Sequence, residues 1–345
     1  MNTLLKKGLI AALVLLVPIT FALASGEQEQ AGSGSQSGQT QETEQTGASA
    51  ESETDEPMDA ASVVEFVEVG WLDIEATTAT TRLVLEALGY STTSETVSVP
   101  VAYEGMAADD ADIFLGYWYP SMASIAEPHF EEGTVENVSV NLEGAKYTLA
   151  VPTFLAEQGL TGFGDIAEFG EELEYKLHGI EAGNDGNQLI QQMIDEDAFG
   201  LGDFEVVPSS EAGMLAEVRS RVPREEPIVF LGWEPHPMNA NIDMTYLEGG
   251  DDYFGPDYGA ATVYTNARAG FLDNNRNLAQ FFDNLQFTLA MENEIMKDIS
   301  EGTEPRAAAT AWLQDNPEIL GEWLDGVRTV DGRPGEPAVR EALGL

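Results

Sequence analysis

The chain has 345 residues, of which 61 are Asp or Glu and 15 are Lys or Arg, for a formal net charge of −46. A charge this negative repels phosphate backbones and anionic membrane surfaces, which excludes nucleic acid as a partner. Cysteine is absent, ruling out disulfides, thiolate nucleophiles, Cys-ligated zinc and a lipid-modified N-terminal cysteine, while 43% apolar residues suffice to build a core.

Residues 1–24 read as a secretory signal peptide. Lys6 and Lys7 form a short basic region, Gly8 to Phe21 is apolar, and Ala22-Leu23-Ala24 puts small residues where cleavage needs them. An uncleaved N-terminal anchor is the competing reading, but the apolar run is short for a span and Pro18 breaks it. The chain is therefore expected to work in a periplasm. Residues 25–58 consist of Gly, Ser, Gln, Thr, Glu and little else, with Met58 the one clearly apolar residue larger than Ala. They bury too little surface to offset their ordering entropy and are expected to form a disordered acidic linker. The first 58 residues hold eight acids and two lysines, a charge of −6, so −40 lies on the folded part from residue 59 onward. A solvated acidic surface suited to high salt is the simplest account of it, with long-range attraction of a cation as the alternative.

From residue 62 the pattern alternates. Strands are expected at 62–71, 96–101, 112–118, 146–152, 176–183, 204–210 and 227–233. Helices are expected at 77–90, near 103–109, at 159–169 after a turn, at 186–199 and at 211–222, with a mostly helical end from Asn277 to about Leu324. Phe281, Phe282, Leu285, Leu289, Ile295 and Met296 are core candidates there. Alternating strands and helices predict an α/β fold with parallel sheets. The 287 residues from 59 onward exceed what one sheet usually carries, so two lobes are expected.

Ligands of open α/β sheets bind beyond the carboxyl ends of the strands. The segments there are Gly70-Trp71-Leu72-Asp73, Gly116-Tyr117-Trp118-Tyr119-Pro120, Glu181-Ala182-Gly183-Asn184-Asp185-Gly186-Asn187 and Gly232-Trp233-Glu234-Pro235-His236-Pro237, while Tyr147 opens KYTLAVP. Tryptophans at strand ends, flanked by Gly and Pro, are awkward core residues. Converging from several strands, their faces form a box that attracts a quaternary ammonium at ~0.5–2 kcal/mol per face. Asp73 adds a negative charge and Asn184 a hydrogen bond. Ordinary packing of surface aromatics is the alternative.

These residues carry a resemblance. Trp71-x-Asp73, TTATT, SVPVAYEGM, DIFLGYWYP, LEGAKYTLA, GIEAGNDGN, FLGWEPHPMNAN and GAATVYTN resemble, in order, the periplasmic choline-binding proteins of ABC importers, within the quaternary-amine and glycine betaine family. The resemblance runs from about 62 to about 315. It implies a type II-like periplasmic binding protein of two α/β lobes joined by a two-crossover hinge and closing over the ligand. It also implies a box of Trp71, Trp118, Tyr147 and Trp233, with Asp73 and Asn184 as polar ligand-binding residues. We place lobe 1 at 59–145 plus 241–345 and lobe 2 at 146–240, with crossovers near Ala145 and Asn241. The chain departs from the resemblance in its acidic linker and strong acidity.

Choline fits better than glycine betaine. Betaine's carboxylate needs donors, whereas the segments around the box offer Asp73, Glu181, Asp185 and Glu234. Lys146 points away from Tyr147 by strand alternation, and His236, between two prolines, is read as shaping a turn. An exported hydrolase using paired carboxylates is the main enzyme alternative. No G-x-S-x-G, H-E-x-x-H or phosphate loop occurs, however, and the Asp251, Asp252, Asp257 cluster misses calcium-loop spacing. We expect no catalysis, no cofactor and no metal, a membrane permease as the partner and a monomeric state.

Overall fold

The structure, a computed structural model, describes residues 59–345. The expected signal peptide and linker lie outside the described residues. The strands are β1 (Val63–Glu68), β2 (Ser91–Thr96), β3 (Ile113–Tyr119), β4 (Val135–Pro152), β5 (Lys176–His178), β6 (Glu205–Val207), β7 (Phe230–Glu234), β8 (Met244–Tyr246) and β9 (Ala260–Arg268). They form a single mixed sheet in the order β2-β1-β3-β9-β4-β7-β5-β6, with β8 on β4.

The expectation of parallel sheets holds at the two ends only. β1 runs parallel to β2 and β3, and β5 parallel to β6 and β7. Between them, β9 and β4 run antiparallel to each other and to their outer neighbours β3 and β7. One long strand makes this junction. The first part of β4 pairs with β9 as far as Lys146, and from Lys146 it pairs with β7 and then β8. Ala145 thus sits where β4 changes partners. Beyond Asn241 the chain stays with the second part of β4 for a further stretch. β8 still pairs with Ala150–Pro152, Leu247 N–H donates to the Leu149 carbonyl (2.9 Å), and the chain rejoins the other end only at Ala260.

Other boundaries move for local reasons. The strand expected at 96–101 lies earlier, as the polar edge strand β2, because Ser98 and Pro100 open the helix Val99–Ala107. The helix expected at 159–169 is a 3₁₀ turn, Phe163–Phe169. The helix Leu72–Ala87 starts directly at Trp71, ahead of the expected 77. Three of its four buried threonines satisfy their own hydroxyls: Thr77, Thr80 and Thr81 donate to the carbonyls four residues back at 2.7–2.9 Å, while Thr78 does not. That is how TTATT fits inside a buried helix. The helices Leu289–Ser300 and Pro305–Asp315 pack against it. Phe281, Phe282, Leu285, Ile295 and Met296 are buried, and Leu289 is half-buried. Trp323 is buried and donates to the Gln286 carbonyl (2.9 Å), while Trp312 is half-buried and donates to Glu294 (2.7 Å).

Candidate ligand-binding site

The site is built where the two parallel ends of the sheet meet its antiparallel middle. Trp71 closes the turn after β1 and is the N-cap of the helix Leu72–Ala87, which puts Asp73 in the first turn. Trp118 is the next-to-last residue of β3, which runs one residue past the expected end. Tyr147 and Trp233 face each other directly in the β4–β7 ladder. A directly opposed pair on an antiparallel ladder brings side chains together without any loop. Asp185 opens the helix Asp185–Asp195, and Asn184 is its N-cap.

These elements bring Trp71, Asp73, Trp118, Tyr147, Ile180, Asp185 and Trp233 around one cavity of about 260 Å³, part of it open to solvent. Tyr147 is the hub. Its ring centroid lies 6.1 Å from Trp118 at 63° and 6.2 Å from Trp233 at 78°, while Phe254 backs it at 5.8 Å and 86°. Such tilted and edge-to-face pairs leave ring faces free for a third partner. Two glycines allow the close approach. A Cβ at Gly186 would lie 2.1 Å from the Tyr147 hydroxyl, and one at Gly259 (φ +70°) would lie 2.0 Å from the Tyr147 carbonyl oxygen.

Two carboxyl groups line the same cavity. Asp73 is 2% exposed; its Oδ2 accepts from Trp118 Nε1 (3.3 Å) and its Oδ1 has no partner. Asp185 is 1% exposed; its Oδ1 accepts from Asn184 Nδ2 (2.8 Å) and its Oδ2 has no partner. Among the described residues, the only other buried side-chain polar atom without a partner is Thr78 Oγ1. Burial, reinforced by the charge of Glu211, pushes the Asp73 carboxyl up to about 7, against the pull of its hydrogen bonds. Burial pushes Asp185 up to about 6, against the pull of the polar groups around it. Glu292, also buried, is raised well above the carboxylate range by burial and then by Asp73.

Asn184 does not line the cavity. Its Oδ1 accepts from the Tyr147 hydroxyl (3.0 Å) and from Asn187 N–H (3.1 Å), and its Nδ2 donates to Asp185. Its amide thereby sets Tyr147 and Asp185. Around the cage, Glu181 accepts from Trp71 Nε1 (3.0 Å). Glu211 Oε2 accepts from Leu72 N–H (3.1 Å), and its Oε1 meets His236 Nε2 (3.0 Å). Met238 N–H donates to His236 Nδ1 (2.9 Å), so His236 holds its turn as expected and its proton sits on Nε2. Lys146 pairs with Glu234 (3.7 Å), away from the cavity. Sequence reasoning named Asp185 only as a neighbour of the box. Its place beside an N-cap Asn, at the start of a helix after a Gly-rich loop, was the available signal.

No Lys, Arg or His lines the cavity. Aromatic faces joined by carboxylates and no basic group form a receptor for an organic cation. The fold and this cage together define a small-ligand-binding protein of the α/β type. The chain belongs to the family of substrate-binding domains of ABC-type glycine betaine transport systems, whose model matches residues 62–315. It is 53% identical to an ABC-transporter choline-binding protein solved in complex with choline, with a TM-score of 0.81, covering 82% of this chain and 99% of that one. Against an unliganded semi-closed structure, also a choline-binding protein, identity and coverages are the same and the TM-score is 0.76. It is 29% identical to the glycine betaine/carnitine transport binding protein GbuC of Listeria monocytogenes over 165 residues, 48% of this chain and 54% of that protein. These relatives are transport binding proteins by name. Among the described residues no helix is long and apolar enough to cross a membrane.

Proposed function

We propose that this chain captures choline in the periplasm and delivers it to the permease of an ABC importer, acting as a monomer and without catalysis. The single observation behind this reading is the cage itself: four aromatic rings and two buried carboxylates, each with an unpartnered oxygen, and no basic side chain. An unpaired buried carboxylate costs several kcal/mol. A methylated ammonium supplies the missing counter-charge while its methyls rest on the ring faces. Trp71, Trp118, Tyr147 and Trp233 hold the trimethylammonium. Asp73 accepts a hydrogen bond from the choline hydroxyl, and Asn184 acts through Tyr147 and Asp185.

Glycine betaine is the competing ligand, favoured by the family's description and by the name of the Listeria relative. Its carboxylate would face Asp73 and Asp185 with no Lys, Arg or His side chain to receive it, a repulsion that separates the two ligands. Titration calorimetry of the mature protein with choline, glycine betaine and carnitine decides. Saturable choline binding at least tenfold tighter than betaine is expected. Equal affinities remove the selectivity argument, and no heat with any of the three favours the carboxylate hydrolase.

A further inference from the structure

The helix Leu72–Ala87 carries Trp71 and Asp73 at its start but has no cap of its own, since the indole of Trp71 at the N-cap accepts no backbone bond. Its first N–H needs an acceptor. That acceptor comes from 139 residues away: Glu211 Oε2 takes the Leu72 N–H at 3.1 Å. Leu72 follows β1, near one end of the sheet, whereas Glu211 opens the helix Glu211–Arg221 between β6 and β7, at the other end. The bond therefore ties together the two ends that contribute the walls of the cage. The other oxygen of Glu211 is fixed by His236 Nε2 at 3.0 Å, and the His236 ring lies 5.0 Å from the Trp233 ring at 62°. Glu211 is 8% exposed and His236 2%. A second tie runs the same way, from Trp71 Nε1 to Glu181 at 3.0 Å. Neither Glu211 nor His236 lines the cavity.

We propose that Glu211 is a positioning residue for ligand retention: a carboxylate, aimed by His236, that caps the Trp71-bearing helix from across the site and holds the two sides shut. This rests on the reading of the chain as a choline-capture protein that opens and closes. The grip forms after the ligand has entered, so it governs release and leaves capture alone. A cap within one rigid body would move neither rate.

The test is stopped-flow tryptophan fluorescence with choline on wild type, Glu211→Gln and Glu211→Ala. Both variants remove the same charge, but Gln keeps an acceptor for Leu72 and Ala keeps none, so their difference isolates the grip. Release should quicken in the order wild type, Gln, Ala. The Ala variant should release roughly ten- to a hundred-fold faster than wild type, as expected for a charge-assisted hydrogen bond, with association within about twofold. Equal release from Gln and Ala, or release from Ala at the wild-type rate, overturns the proposal. If Ala does not fold, Gln against wild type decides in the same terms. If wild type gives no choline signal, the choline reading fails by itself. The same release series run with glycine betaine then decides: release quickening in the order wild type, Gln, Ala supports the grip, and equal release from Gln and Ala overturns it.

Discussion

Asp73 and Asp185 are the residues on which the site's chemistry turns. Both are buried with an oxygen unpaired, and both carboxyls are raised, to about 7 and about 6. A cation interacts with the ionised forms, so protons compete with it below those values. Choline affinity measured by calorimetry should therefore rise from pH 5 to pH 8 and level off above. Stability runs the other way without ligand. Free carboxyls in the unfolded chain titrate near 4, so the native state binds these protons more tightly, and ligand-free stability falls as pH rises from about 4 to about 7. The increase in Tm on adding choline should accordingly be larger at pH 8 than at pH 5. Asp185→Asn should fold and weaken choline binding on the order of ten- to a hundred-fold, the scale of losing one partner of a buried charge interaction. A variant that binds as tightly as wild type removes Asp185 from the site. Trp beside Gly and Pro at strand ends singled out Trp71, Trp118 and Trp233, and the family resemblance added Tyr147 to complete the set. The sequence set Asp73 apart but could not rank Glu181, Asp185 and Glu234, since only burial separates a solvated acid from an uncompensated one.

The elements explain why the cage is rigid. Tyr147 is held from three sides: by Trp233 across the ladder, by Asn184 at its hydroxyl and by the start of the helix Asp185–Asp195 at Gly186. Gly186→Ala should push the hydroxyl aside and weaken binding, and adding Tyr147→Phe should relieve part of that loss, since it removes the atom 2.1 Å away. A double-mutant cycle on choline affinity reads the coupling, and strict additivity would show that the contact does not matter. Asn184→Ala should cost about 1 kcal/mol in urea unfolding from the lost N-cap and weaken binding besides, through Tyr147 and Asp185. At this scale the sequence pattern gave the helices and the apolar strands well. It missed β9 and the first part of β4, whose mixed polar sequence reads as loop until the two strands are seen paired with each other. It also ended two strands at Trp118 and Trp233, one residue short, because the last strand residues, Tyr119 and Glu234, carry the polarity of a turn.

For the whole molecule the chief quantity is charge. A net −46 against few cations means like charges crowd the surface, and screening by salt weakens that repulsion within a Debye length of about 3 Å at 1 M. The Tm should thus rise on going from 0.05 M to 1 M KCl, as differential scanning calorimetry would register. A flat response would mean the acidic surface is already neutral to stability. Choline at a hundred times its dissociation constant should add about 2.7 kcal/mol to stability at any one salt concentration.

Some properties of this protein were fixed by sequence alone, because they depend on residue type and local order. Its charge excluded nucleic acid, its lack of cysteine excluded thiol chemistry, and its ordered motifs carried the family and the aromatic set. Those needed no coordinates. Other properties belong to distance between residues far apart in the chain. The antiparallel junction of β4 and β9, the uncompensated burial of Asp73 and Asp185, and the capping of Leu72 by Glu211 exist only once the sheet has brought its ends together. The physical reason is that desolvation and hydrogen-bond partnership are properties of surroundings, and the chain acquires its surroundings by folding.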